Sequence, residues 1–123
     1  MVLDFWATWC KPCIEELNAI NENYVDWQKE TGVKVVAISL DDARTMTRVA
    51  PFVNGRNWSY DSYIDPNGDF KRAFNVNMPP HTFLVKGKGE IVWQHVVFAE
   101  GNELELYDMI KKVAAADAAP AGK

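Results

Sequence analysis

Cys10 and Cys13 are the only cysteines among 123 residues, and they stand two residues apart in Trp9-Cys10-Lys11-Pro12-Cys13. The motif falls where an apolar run passes into a helical pattern. Backbone N–H groups in a first helical turn lack partners and the macrodipole adds partial positive charge, so a thiolate at Cys10 is favoured over the thiol. A second sulfur one turn further on can attack a mixed disulfide on the first without a large rearrangement. Lys11 adds a nearby cation, and Pro12 suits a first turn because it lacks an N–H that would go unpaired anyway. Cys10 is therefore read as the attacking thiol and Cys13 as the resolving thiol.

Three other uses of the pair are weaker. A purely structural disulfide closing so short a loop restricts the unfolded chain little. A zinc half-site needs two further ligands, and His81 and His95 are not spaced like a finger's pair. Two inert thiols complete the set.

The preceding run, Val2-Leu3-Asp4-Phe5-Trp6-Ala7, is that of a central strand buried on both faces, with one acid in it. An Asp there is costly unless it is solvated or used. If it lies beneath the cysteines, burial raises its pKa and lets it exchange a proton with Cys13. The plainer reading is an Asp that reaches solvent from the strand's edge.

The segment from Val2 to Cys13 resembles the active-site segment of the thioredoxin superfamily, and Pro80-His81-Thr82-Phe83-Leu84-Val85 is similar to the cis-proline segment of its TlpA/ResA-like branch. The resemblance covers nearly the whole chain. It implies an α/β thioredoxin-like fold and a thiol-disulfide oxidoreductase, with Cys10 attacking, Cys13 resolving, Asp4 as buried acid and Pro80 as the cis-proline beside the disulfide. No cofactor and no metal are implied.

A chain of this length with 48% hydrophobic and 12% aromatic residues supplies one core and one domain. Net charge −4 and scattered basic residues argue against non-specific binding to nucleic acid or anionic membrane. No apolar run has the length to span a bilayer. Met1 leads straight into the first strand, where TlpA-like domains carry a further strand or hairpin, so the chain reads as an excised domain without its targeting segment. By resemblance its compartment is periplasmic or otherwise extracytoplasmic, and it is expected to be a monomer.

The remaining pattern predicts a central mixed sheet, mostly parallel with one antiparallel hairpin, flanked by helices. A first helix runs from the cysteine motif to Thr31 on the stripe Ile14, Leu17, Ile20, Tyr24 and Trp27, and Gly32 stops it. Glu15 and Glu16 are placed in its first turn, as anions that suit the dipole and partly oppose a thiolate. Lys34 to Leu40 is a second buried strand. Asp41 or Asp42 caps the next helix, which Pro51 kinks or divides. Trp58 to Ile64 is a third strand and Asp69 to Phe74 a short helix, together read as the inserted strand-helix segment of TlpA-like and peroxiredoxin-like domains. Thr82 to Lys86 and Glu90 to Phe98 form the hairpin through Gly87-Lys88-Gly89. Asn102-Glu103-Leu104-Glu105 resembles a capping box for a last helix with Leu106, Ile110 and Val113 on its face. The domain spans 1–116, and 117–123 is a flexible tail.

The double proline Pro79-Pro80 departs from the common pattern. In the superfamily the residue before the cis-proline pairs with the client backbone, and Pro79 has no N–H to offer. Trp9, Pro79 and His81 are the expected client contacts, with Met78 beside Trp9 in an apolar rim. His81 within reach of Cys10 would titrate with the thiolate; the alternative is an exposed strand-edge histidine. His95 is read as structural or exposed.

These residues point to a domain that reduces protein disulfides, needing a disulfide-containing client and a separate thiol electron donor. A peroxiredoxin-like peroxidase shares the expanded fold, but Thr8 stands at the wrong spacing and no Pro precedes it. From another class, the same pair can hold a soft ion such as Cu(I) in a copper-binding or chaperone module.

Overall fold

Val2–Trp6 forms β1, and all five residues are buried, Asp4 included. The computed structural model describes residues 1–86, 89–96 and 102–118. β2 (Val35–Ser39) lies parallel to β1, and β3 (Asp61–Ile64) lies parallel to β2. On the other side β4 (His81–Val85) runs antiparallel to β1, and β5 (Ile91–Val96) antiparallel to β4. The order is β3-β2-β1-β4-β5.

The sheet is mixed, as the sequence predicts, but it is not mostly parallel and the hairpin is not its single antiparallel pairing. Two pairings are parallel and two antiparallel. The physical reason lies in where the chain enters β4: His81 stands opposite Phe5, so β4 begins at the end where β1 finishes. That entry point brings Pro79-Pro80 to the sheet end from which the cysteine loop also leaves.

Helix α1 (Lys11–Thr31) begins with Cys10 as its N-cap and ends at Gly32, whose φ of 71° suits glycine and whose N–H donates to the Gln28 carbonyl at 2.8 Å. Its inner face carries Cys13, Glu16, Leu17, Ile20, Tyr24 and Trp27. Glu15 and Glu16 are therefore past the first turn, and Glu16 faces inward instead of toward solvent. Two buried clusters sandwich the sheet. Val2, Trp6, Leu17, Ile20 and Leu106 belong to the one under α1, and Leu3, Phe5, Val36, Ile38 and Phe83 to the one on the opposite face. Period-two alternation along β1 puts Asp4 on the α1 side with Val2 and Trp6.

Between β2 and β3 a 3-10 turn (Met46–Arg48) leads into α2 (Val49–Gly55). Pro51 falls in the first turn of α2, where its missing N–H costs nothing, so the predicted break is a change of helix type ahead of it. Neither Asp41 nor Asp42 caps this helix. Thr45 precedes it without a side-chain bond, Asp42 instead closes a local turn with Arg44, and Asp41 is drawn inward. Trp58 and Tyr60, just before β3, are core residues tied to α1: Trp58 Nε1 donates to Asn18 Oδ1 at 2.9 Å and the Tyr60 hydroxyl to the Leu17 carbonyl at 2.6 Å. Tyr63 is exposed.

Helix α3 (Asp69–Ala73) precedes the double proline, and α4 (Asn102–Ala118) closes the fold with Leu106 and Ile110 buried and Tyr107 stacked on Trp27 at 4.9 Å. The helix continues past the predicted boundary at 116. Gly87-Lys88 of the hairpin turn, residues 97–98 of the predicted last strand and tail residues 119–123 lie outside the described residues.

Candidate active site

Cys10 and Cys13 are joined as a disulfide with Cα atoms 5.3 Å apart, a separation the first turn of α1 provides. The two cysteines are not equally buried: Cys10 is 6% exposed and Cys13 fully buried. The Cys13 N–H donates to Cys10 Sγ at 3.3 Å, so the helix aims one of its unpaired donors at that sulfur. When the bond opens, the same donor and the helix N-terminus stabilise negative charge on Cys10.

The loop that delivers Cys10 is anchored by Asp41. Thr8 donates to it twice, through its N–H to Oδ1 at 2.9 Å and through its hydroxyl to Oδ2 at 2.5 Å, and Ser39 Oγ donates to Oδ1 at 2.5 Å. Burial by itself would raise the Asp41 pKa, but these hydrogen bonds outweigh it and hold the carboxyl below its ordinary value. Asp41 thus fixes the ends of β1 and β2 to each other directly behind the cysteine loop.

Beneath α1 lies a polar layer inside the apolar core. Asp4 on β1 stands opposite Thr82 on β4, and Thr82 opposite His95 on β5. Glu16 of α1 lies over this row. Thr82 Oγ1 donates to Glu16 Oε1 at 2.9 Å, and His95 Nε2 meets Glu16 Oε2 at 2.9 Å. An ionised carboxylate only accepts, so the His95 nitrogen facing it carries the hydrogen. Asp4 is fully buried, and neither of its oxygens meets a protein donor. Burial first, and the charge of Glu16 second, push its pKa well above the ordinary carboxyl range. Glu16 moves the other way: burial would raise it, but hydrogen bonds with His95, Asp4 and Thr82 hold it below its usual value. Asp4 and Glu16 are thus neighbouring buried carboxyls whose proton affinities are pushed in opposite directions.

Pro79-Pro80 is a cis peptide bond. With Asn77, Met78, His81 and Val96 the two prolines line an open cleft of about 270 Å³. Pro80 is buried and Pro79 half-buried, while Met78, Trp9 and Val96 are 70%, 59% and 56% exposed. A larger groove, about 450 Å³ and lined by Leu3, Val36, Ile38, Tyr63 and Phe74 among others, opens on the opposite sheet face and contains neither sulfur.

His81 corrects both sequence expectations. It is buried, not an exposed edge residue, and its ring stacks on Phe83 with centroids 4.3 Å apart while Nε2 meets Gln94 Oε1 at 2.8 Å. Alternation along β4 turns His81 and Phe83 to the face opposite Thr82, hence away from the layer under the cysteines. It forms part of the wall of the cleft beside the double proline.

The sequence marks Glu16 only as an anion near the thiolate, and it does not mark Asp41, Thr82 or His95 as site residues. Glu16 left a signal, since it falls in phase with Cys13, Leu17 and Ile20 on the apolar stripe of α1. His95 left none before the strand register was known.

Residues 1–94 match the family model described as the AhpC/TSA family. Among curated proteins, the chain is 32% identical over 111 residues to the thiol-disulfide oxidoreductase ResA of Bacillus thuringiensis subsp. konkukian, covering 90% of this chain and 61% of that protein. It is 35% identical over 91 residues to ResA of Oceanobacillus iheyensis, covering 74% of this chain and 46% of that one. The chain therefore spans about half to three-fifths of these relatives. Among solved structures, an uncharacterized thioredoxin-like protein from Porphyromonas gingivalis superposes with TM-score 0.82 at 45% identity, over 94% of this chain and 75% of that one. StoA from Bacillus subtilis superposes with TM-score 0.72 at 25% identity, over 87% and 80% of the two chains. The fold is thioredoxin-like.

Proposed function

The chain belongs to the AhpC/TSA family, and on that footing we propose that it is a thiol-disulfide oxidoreductase that reduces disulfides in client proteins. One observation carries the reading: a Cys10-Cys13 disulfide at a helix N-terminus, with Cys13 the more deeply buried of the two and a fully buried acid, Asp4, on the same side of the sheet.

In the reduced domain the Cys10 thiolate attacks one sulfur of a client disulfide. A Cys10–client disulfide forms and the client's other sulfur leaves as a thiolate. Cys13 then gives its proton to the ionised Asp4 and attacks Cys10 Sγ. The Cys10–Cys13 bond forms, the second client sulfur leaves, and two electrons have passed to the client. A separate thiol donor returns them, with Asp4 giving its proton back to Cys13. Asp4 is the proton-transfer residue in this scheme, Pro80 and Pro79 border the bound client, and Trp9 and Met78 supply apolar contact. Resemblance to the TlpA/ResA-like branch supports an extracytoplasmic setting and a monomer. No helix among the described residues is long and apolar enough to cross a membrane.

The copper-module alternative is less well supported, since the curated relatives are named thiol-disulfide oxidoreductases. Insulin reduction driven by dithiothreitol tests the proposal. Catalysed turnover above the dithiothreitol background is expected; a domain whose disulfide is fully reduced by the donor yet gives no acceleration refutes it.

Docking of the client carries a second expectation. Pro79 lacks the N–H with which the preceding residue would pair with an extended client backbone. Pro79→Thr restores that donor, and one added hydrogen bond of about 0.5–1.5 kcal/mol strengthens a trapped mixed disulfide's peptide contact roughly 2- to 10-fold. Competition by free peptide measures this, and unchanged or weaker docking removes Pro79 from the client-binding account.

A further inference from the structure

We infer that His95 is a positioning residue for the redox cycle: by donating to Glu16 it keeps that carboxylate anionic and so governs when Asp4 can take the Cys13 proton. The inference rests on the proposed exchange reaction and extends it to a residue on β5 that touches neither sulfur in the chain of contacts described above.

The geometry is a relay across three strands. Asp4, Thr82 and His95 occupy directly paired register positions on β1, β4 and β5, so backbone hydrogen bonding fixes their spacing. Glu16 descends from α1 onto this row, and both of its oxygens are engaged, Oε1 by Thr82 and Oε2 by His95. The Glu16 side chain is 2% exposed and that of His95 15%, so this pair is largely withdrawn from solvent, where charge and hydrogen bonding act strongly. The Trp93 ring lies against His95, with centroids 5.0 Å apart, and limits its movement.

The groups that face the layer are few. β1 supplies Asp4, α1 Glu16, β4 the neutral Thr82 and β5 His95, while the Tyr60 hydroxyl, held by the Leu17 carbonyl, is kept neutral by burial. Two of these groups are carboxyls, and His95 is the cation-capable group among them. In the oxidised domain Asp4 holds a proton and the two carboxyls share a single negative charge. When Asp4 gives that proton to Cys13 during reduction, two carboxylates face each other in the core. This state is costly unless a donor or positive charge meets it, and His95 is placed to supply either. Without His95 the paired carboxyls hold their proton more tightly. Asp4 is then ionised, and able to accept from Cys13, only at higher pH.

An aromatic disulfide probe separates the two chemical steps. Reduced protein mixed with 5,5′-dithiobis(2-nitrobenzoate) releases one coloured thiolate when Cys10 attacks and a second when Cys13 resolves. We expect His95→Ala to move the pH midpoint of the second phase upward by at least half a unit. His95→Gln, which keeps a donor but carries no charge, should give a smaller upward shift. First-phase rates should stay within twofold of the unsubstituted protein. Second-phase midpoints unchanged in folded variants, or equal shifts in both phases, overturn the role of His95 while leaving the exchange chemistry intact. Absence of both phases in the unsubstituted protein overturns the exchange reaction and this inference together. A measurement without substitution guards against a folding defect: imidazole nitrogen resonances of His95 should change on reduction of the Cys10-Cys13 disulfide. Identical His95 spectra in the two redox states overturn the inference.

Discussion

Cys10→Ser is expected to abolish disulfide exchange, with insulin reduction falling to the uncatalysed background, because a hydroxyl at this position is neither ionised near neutral pH nor able to form the mixed disulfide. The helix N-terminus and the Cys13 N–H still face the site in this variant, but they have no sulfur to stabilise. Cys13→Ser should be equally inactive in turnover and differ in what accumulates. Cys10, the less buried of the two, still attacks, yet nothing displaces the client, so a one-to-one mixed disulfide builds up and is released by added dithiothreitol. The asymmetry follows from exposure, 6% for Cys10 against none for Cys13. A trapping experiment with a disulfide-containing peptide and mass spectrometry reads both variants. Mixed disulfide in Cys10→Ser but not in Cys13→Ser would reverse the assignment of attacking and resolving sulfurs.

Asp4→Asn is expected to stabilise the fold and slow its chemistry. Asp4 has a raised pKa in the folded protein through burial and the neighbouring Glu16 charge. Its contribution is therefore complete below the unfolded carboxyl value of about 3.9 and is lost as pH rises toward the folded value. Between the unfolded and folded values the loss has a slope of about 1.4 kcal/mol per pH unit. Glu16, lowered by its hydrogen bonds with His95, Asp4 and Thr82, acts in the opposite sense and loses its contribution only as pH falls below the ordinary carboxyl range. Asn can donate to Glu16 without taking up a proton, so Asp4→Asn should be more stable than the unsubstituted protein at pH 7 and little changed near pH 3. The same change removes the proton acceptor for Cys13, and resolution should slow by about 10²-fold, the lower end of what a positioned acid-base group contributes. Denaturant melts at several pH values and the second phase of the aromatic disulfide reaction check the two halves. A variant that is destabilised at pH 7, or that resolves at the normal rate, contradicts the placement of the proton on Asp4.

The parts of the site legible in the sequence are those whose signals are local. Cys10, Lys11, Pro12 and Cys13 declare a helix start by spacing and residue type, and Asp4 stands out as a charge inside an apolar strand. The stripe from Leu17 to Trp27 and the stop at Gly32 predict α1 nearly to the residue. What stayed hidden depends on strand register. Glu16 meets Thr82 across 66 residues of sequence and His95 across 79, and no local pattern marks either pairing. The antiparallel match of β4 to β1 was hidden for the same reason, since strand residues look alike in either direction. Asp41 misled because an Asp after a strand suits a helix cap, whereas here Thr8 and Ser39 compete for it successfully. His81 misled because its position beside Pro80 suggested the sulfurs, and side-chain alternation along β4 turns it to the other face.

The direction of electron flow is the central claim, and the reduction potential of the Cys10-Cys13 pair tests it most directly. The protein is equilibrated in defined thiol-disulfide buffers, its thiols are trapped, and the oxidised fraction is fitted. A potential near or below about −220 mV, toward the thioredoxin end of the scale, is the result expected of a protein that reduces client disulfides. A potential near about −120 mV would make the pair an oxidant and contradict the account.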